Sequence, residues 1–299
     1  MTLSLSVPSK TFLCGEYVAL MGGPCVVLAT EPRFHLLVTT PGTGKNPFHA
    51  QSPAGQFLAK YPELLSDYSF EFQNSVPGGG FGGSSAEFLL VSAFEQLRSP
   101  LKTEAQLELD LKKVLSDYGD LFQSELNKPS GADIVGQARG WMTAFHRKAG
   151  RIQNFSWDFP NLGFHIYRTG KKLATHEHLK QLEPKNFESL EAPCHQVWEA
   201  LSQKIENHLL SGLTDFSRQL EKMGLQDADT MKMTQALCRE SGVRVAKGCG
   251  AMGSDAILVV YDRRETNSAE LNIKSKKMGL DFFANESGLA KGLQKDPYQ

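Results

Sequence analysis

Cysteine is scarce in this sequence, and its five copies (Cys14, Cys25, Cys194, Cys238 and Cys249) are odd in number and widely spaced. They form no Cys-x-x-Cys pair, so neither a disulfide framework nor a thiolate zinc site is indicated. Long apolar runs are also missing, and no basic region followed by an apolar stretch opens the chain. A cytoplasmic protein with no membrane association is the expectation. Charge of one sign is lacking as well: 32 Lys and Arg face 33 Asp and Glu, for a net charge of -1. Nucleic acid is therefore not an expected partner, and any bound anion must be held by local geometry. Internal repeats, low-complexity tracts and heptads are absent, which leaves monomer or homodimer open.

Glycine, by contrast, is concentrated. Pro77 to Glu87 reads Pro-Gly-Gly-Gly-Phe-Gly-Gly-Ser-Ser-Ala-Glu and runs straight into the apolar helical pattern Phe88 to Leu97. Glycines let the backbone turn through positive φ and approach a ligand closely. The helix behind them points free N–H groups and its positive dipole end into the loop, an arrangement suited to phosphate. Ser84-Ser85-Ala86-Glu87 also fits a capping box, which does no more than start a helix. The loop is not a Walker A sequence, since no Gly-Lys-Ser/Thr closes it. Gly42-Thr43-Gly44-Lys45 fails too, with Asn46 after the lysine.

Strand patterns fall at Leu3–Val7, Thr11–Leu13, Val26–Ala29, Phe34–Thr39 and Trp141–Phe145. Helical periodicity covers Ser84 to about Arg98 and Thr103 to about Tyr118. After Gly150 the expected elements are a strand at Leu162–Tyr167, helices at Ala192–Leu210, Gly212–Met223 and Asp227–Ser241, then the strand Ala256–Tyr261. A polar helix and a short strand near Leu280–Phe283 finish the chain. Mixed elements in two clusters predict an α+β protein of two lobes around a cleft, divided into residues 1–150 and 151–299.

Three further segments accompany the glycine loop: Pro8-Ser9-Lys10, Lys128-Pro129-Ser130-Gly131-Ala132-Asp133, and Lys247-Gly248-Cys249-Gly250-Ala251-Met252-Gly253-Ser254-Asp255. Singly, each has a plain structural reading: a surface lysine, a capping box from Ser130 to Asp133, a tight turn before a strand. In this order they resemble the GHMP kinases, the family of galactokinase, homoserine kinase, mevalonate kinase and phosphomevalonate kinase. Pro8-Ser9-Lys10 is similar to the family's Pro-Gly-Lys, and Gly80-Phe81-Gly82-Gly83-Ser84 to its Gly-Leu-Gly-Ser-Ser. Pro129 to Asp133 resembles Pro-Ser-Gly-x-Asp, and Gly250 to Ser254 resembles the late Gly-Ala-Gly-Gly-Gly. The resemblance covers nearly the whole chain.

The resemblance implies a ribosomal S5 domain 2-like N-terminal lobe, which binds ATP, and a ferredoxin-like C-terminal lobe. It implies ATP over Gly79, Gly80, Gly82, Gly83, Ser84 and Ser85, with Mg²⁺ as cofactor. Asp133 is then the base for the acceptor hydroxyl, and Lys10 the cation that keeps it ionised. Glu16, Tyr17, Thr175, Gly250 and Ala251 would meet the acceptor, either the 5-hydroxyl of mevalonate or the phosphate of phosphomevalonate. Thr169-Gly170 followed by Thr175, together with Lys128 to Asp133, resembles mevalonate-pathway enzymes and leans to mevalonate kinase. Gly15-Glu16-Tyr17 and Asp255 lean to phosphomevalonate kinase. Two positions depart from the family. Phe122 stands where a Mg²⁺-ligating glutamate is expected, leaving Ser84 and the displaced Glu125 as metal candidates, and Met252 replaces a glycine. A nucleotide or metabolite sensor without turnover is the competing reading. His176 and His178 lack a third ligand, so no zinc site is expected.

Overall fold

A computed structural model describes residues 2–98, 109–122, 128–171 and 187–297. Glu125 and Thr175 lie outside the described residues.

The first sheet is built on two long strands, β1 (Thr2–Cys14) and β2 (Pro24–Thr39), which run antiparallel. Each joins what the sequence pattern presents as two strands. A register shift explains the appearance: Pro8 faces Arg33 but Ser9 faces Thr30, so Glu31 and Pro32 are extra residues on β2. Such bulges re-aim the side chains that follow them. β3 (Ser69–Asn74), β4 (Met142–His146), β5 (Arg151–Phe155) and β10 (Gln294–Asp296) complete the sheet, in the order β10-β1-β2-β4-β5 with β3 also on β2. Two strands from beyond residue 150 thus join the first sheet: β5 as the hairpin partner of β4, and β10 as a late return beside β1.

The helices α1 (Pro53–Lys60), α2 (Pro62–Asp67), α3 (Gly83–Leu97), α4 (Leu111–Asp120) and α5 (Ala132–Arg139) accompany this sheet. Of these, α3 is apolar nearly all round, with Phe88 to Val91, Ala93 and Phe94 buried. That is the signature of a core helix.

The second sheet is β7 (Val243–Cys249), β8 (Ala256–Asp262), β6 (Leu162–Arg168) and β9 (Asp281–Asn285), in the order β7-β8-β6-β9 and antiparallel throughout. The helices α6 (Glu188–Gln203), α7 (Glu206–Lys222), α8 (Ala228–Leu237) and α9 (Ser268–Lys277) belong to this half. The break between the first two falls at Lys204, which adopts a left-handed φ of 58°, rather than before Gly212. Gly212 instead lies inside α7. A Cβ there would come within 2.9 Å of Val197, so the residue serves close helix–helix approach.

Candidate functional site

A cleft of about 770 Å³ opens between the two halves. It is lined by β1, the glycine loop, the start of α1, the start of α5 and the late loop before β8. Its size falls in the range of small-molecule sites.

The glycine loop is fixed from three sides. Gly78, Gly80 and Gly82 have φ of +78°, +93° and +90°. Alternating backbone handedness turns successive N–H groups to one side, the geometry of an anion nest. Close packing holds the loop in this shape. A Cβ on Gly80 would lie 2.5 Å from Asp255, and one on Gly82 would lie 2.7 Å from the Lys10 stem. The Lys10 amide donates to Phe81 O at 3.0 Å, and the Phe81 ring stacks on Phe283 of β9 with centroids 3.9 Å apart. Lobe and loop are thereby joined.

Neither expected capping box forms. Gly82 and Gly131 are the N-caps of α3 and α5, both with left-handed φ, and Ser130 Oγ accepts from the Ala132 amide at 3.2 Å at the start of α5. A glycine cap leaves the first-turn N–H groups of α3 facing the cleft, where a serine cap would have consumed one. The two serines part company. Ser84 is exposed on the cleft wall, whereas Ser85 is buried and donates to Gln137 Oε1 at 2.7 Å. The Ser85 hydroxyl thus serves the α3–α5 contact. Gln137 in turn donates to Pro8 O at 2.9 Å and so ties β1 to the same point.

Lys10 and Asp133 meet on the cleft wall, Nζ to Oδ2 at 2.9 Å. The lysine side chain is 10% exposed and the aspartate 35%, so the pair presents its carboxylate outward. Glycine at position 131 permits this, because its positive φ starts α5 where Asp133 can face β1.

On the opposite wall, Glu16 and Tyr17 line the cleft beside Gly250 and Ala251. Tyr17 Oη accepts from the Met252 amide at 3.2 Å, and burial raises the phenol well above its ordinary pKa. Met252 takes a left-handed φ of 53°, so this residue holds the backbone conformation that glycine adopts freely. Lys247, fully buried, reaches from β7 to Glu16 Oε1 at 3.2 Å.

No protein-family model matches the chain, and no curated protein matches it. Solved structures do. A Lin0012 protein from Listeria innocua superposes with a TM-score of 0.77 at 16% identity, covering 99% of both chains. A Streptococcus pneumoniae phosphomevalonate kinase, solved with phosphomevalonate and AMPPNP, gives 0.72 at 14% identity over 94% of this chain and 98% of that one. A Lactococcus lactis galactokinase gives 0.74 at 11% identity over 98% and 95%. The chain has the GHMP kinase fold. Mevalonate kinases and a putative homoserine kinase from Listeria monocytogenes share it as well.

Within the GHMP fold, the residues singled out from sequence converge on one cleft: Lys10, Glu16, Tyr17, Gly79, Gly80, Gly82, Gly83, Ser84, Ser85, Asp133, Gly250 and Ala251 all line it. Several lining residues carry no motif and were not singled out. Gln51, Ser52 and Gln56 come from the start of α1. Asp255, the acid of the late motif, sits between Gly80 and Gly250. Glu87 lies one helical turn beyond Ser84 on α3, lines the cleft, and has its carboxyl pushed up by burial. Its i+3 spacing from Ser84 was visible, but nothing in the sequence told the cleft-facing side of α3 from the buried one.

Among the described residues, no group of three His, Cys, Asp or Glu side chains could cage a metal. A Mg²⁺ ion does not need one, because it keeps several waters and takes one or two carboxylates plus phosphate oxygens. Ser84 and Glu87, both lining the cleft, are donors of that kind. Among the described residues, no helix is long and apolar enough to cross a membrane.

Proposed function

We propose that this chain is an ATP-dependent kinase of a small hydroxylated metabolite, transferring the γ-phosphoryl group to the 5-hydroxyl of mevalonate. The observation that carries the reading is the Lys10–Asp133 pair, 2.9 Å apart on the wall of a cleft that also holds the glycine loop. Phosphoryl transfer asks a protein mainly for positioning and charge stabilisation. The nest at Gly78 to Gly82 and the uncapped start of α3 would hold the triphosphate. Asp133 accepts the proton of the acceptor hydroxyl as its oxygen bonds to the γ-phosphorus and ADP leaves. Lys10 holds that carboxylate in place through the 2.9 Å ion pair and offsets charge on the attacking oxygen. Ser84 and Glu87 would hold Mg²⁺, whose chemistry is to neutralise charge on the phosphate oxygens.

Phosphomevalonate is the second acceptor reading. Tyr17 beside Glu16 and the Asp255 carboxylate packed against Gly80 favour it. Five free thiols, four of them buried, suit a reducing cytoplasmic setting. A coupled ADP-release assay with mevalonate and phosphomevalonate separately tests the proposal and ranks the acceptors. Binding of nucleotide with no turnover of either acceptor would instead identify a sensor.

A further inference from the structure

One helical turn beyond Asp133 stands Gln137, and the i, i+4 spacing puts both side chains on one face of α5. Gln137 is fully buried. Its Nε2 donates to Pro8 O at 2.9 Å and to Gly82 O at 3.2 Å, while its Oε1 accepts from Ser85 Oγ at 2.7 Å. The two carbonyls can only accept, so the amide has a single orientation and both of its N–H groups are committed. The transfer chemistry itself uses none of these bonds.

Together with the ion pair they close a frame. Pro8 and Lys10 lie on β1, Asp133 and Gln137 on α5. Strand and helix are joined at two levels, by Gln137 Nε2 to Pro8 O and by Lys10 Nζ to Asp133 Oδ2 at 2.9 Å. The second Gln137 N–H brings in Gly82, the N-cap of α3, and the Lys10 amide binds the adjacent Phe81 O at 3.0 Å. A Cβ on Gly82 would come within 2.7 Å of Lys10 Cγ and 3.0 Å of Gln137 Nε2, so three active-site segments converge on one point. The ion pair alone cannot fix strand against helix, because lysine carries its charge on a long flexible stem. The amide is short and planar, and losing it would leave two buried carbonyls without that donor.

We propose that Gln137 is a positioning residue for phosphoryl transfer, holding β1, α5 and the start of α3 in the register at which Lys10, Asp133 and the phosphate nest serve one acceptor hydroxyl. The inference rests on the kinase reading above. It separates binding from turnover. The nest binds nucleotide through its own backbone, whereas the transfer step depends on how the three segments are placed relative to one another. A misplacement of about 1 Å in such a step can cost about 100-fold in rate.

The test measures kcat and both KM values for the full chain as wild type, Gln137→Met, Asp133→Asn and the double variant, with whichever of mevalonate and phosphomevalonate turns over. Folding is checked by circular dichroism melts. Gln137→Met keeps the length of the side chain and removes its hydrogen bonds. Its kcat should fall by about 30- to 100-fold, with the KM for ATP and for the acceptor within about threefold of wild type. The stoichiometry of nucleotide binding in isothermal titration should also match wild type, whereas loss of folded protein would lower it together with kcat. On the Asp133→Asn background the same substitution should cost about twofold or less, because groups that act as a unit are not additive. If Gln137→Met fails to fold, Gln137→Glu carries the comparison, since it keeps the length and the acceptor toward Ser85 but has one donor at most. Wild-type kcat in a folded variant, or the full loss repeated on top of Asp133→Asn, overturns this inference alone. So does a KM for ATP that rises as far as kcat falls. Absence of wild-type turnover with either acceptor overturns the kinase reading and this inference together.

Discussion

Lys10 Nζ and Asp133 Oδ2 lie 2.9 Å apart although 123 positions separate them. The lysine comes from β1, where its amide is bonded to Phe81 O of the glycine loop, and the left-handed Gly131 starts the helix that presents the aspartate. If this pair performs the proton transfer, Asp133→Asn should lower kcat by about 10³-fold, within the range for lost general-base catalysis. Lys10→Met should fall comparably, and neither change should abolish nucleotide binding. Isothermal titration with a non-hydrolysable ATP analogue, run beside steady-state kinetics, checks both halves. Full activity of Asp133→Asn would remove the base from this position.

Gly80 cannot be replaced cheaply. Its φ of +93° is unfavourable for any other residue, and an added Cβ would meet Asp255 at 2.5 Å. Left-handed backbone costs an L-residue about 1–2 kcal/mol before the clash is counted. Gly80→Ala should therefore distort the nest and raise the KM for ATP by about tenfold or more, since that energy is a factor of ten per 1.4 kcal/mol. The KM for the acceptor should move less. Equal loss for both would place the nest elsewhere.

Ser84 and Ser85 are adjacent but should behave oppositely. Removing the buried Ser85 hydroxyl strands Gln137 Oε1, so Ser85→Ala should cost about 1–2 kcal/mol of stability and leave nucleotide affinity near wild type. Ser84→Ala removes an exposed hydroxyl on the cleft wall and should lower kcat without moving the melting temperature. Chemical denaturation paired with kinetics separates the two.

The course of the chain was legible where a physical rule ties residue type to conformation. The glycine loop, the core helix behind it and the strands at Leu162 and Ala256 all appear where alternation, periodicity or glycine content place them. What was not legible depends on contacts between distant segments. β1 and β2 look broken because a bulge interrupts each pattern, and β10 is too short to carry any signal of its own. The capping boxes illustrate the converse. Ser84 and Ser130 have the right spacing, yet a preceding or following glycine with positive φ takes the cap position at lower steric cost. In the site itself, Lys10 and Asp133 were readable from their motifs, whereas the inward turn of Ser85 requires Gln137, which no local pattern marks.

Glu87 supplies a separate test of the metal assignment. It lines the cleft one turn from Ser84, and Phe122, also lining the cleft, occupies the place where the family resemblance puts a glutamate. Glu87→Gln should weaken Mn²⁺ binding to the nucleotide-bound protein by about tenfold, a typical effect of losing one oxygen ligand or its support. Metal-free nucleotide binding should be unaffected. Adding Phe122→Glu to that variant should restore affinity if both positions face the same ion. Electron paramagnetic resonance of free Mn²⁺ reads this directly, and unchanged binding in Glu87→Gln would exclude the residue.

His165 sets an acid limit on stability. It is fully buried in the second sheet, with Nδ1 2.6 Å from Tyr167 Oη and Nε2 2.9 Å from Ser268 Oγ. Tyr167 gives its own proton to Asn272 Oδ1 at 2.9 Å, so Nδ1 must carry the histidine hydrogen and Nε2 accepts from Ser268. The neutral ring is fully satisfied, and burial lowers its pKa from 6.5 to about 4. Between those values the unfolded chain binds a proton that the folded one refuses, so stability falls as pH drops through this window. The loss from this group should be about 2 kcal/mol between roughly pH 7 and pH 5. Urea unfolding at the two pH values should show that drop in wild type, and His165→Gln should shrink it by a comparable amount even if its overall stability is lower. A wild-type slope unaltered by the substitution would mean that the ring takes up its proton in the folded protein as easily as in the unfolded chain.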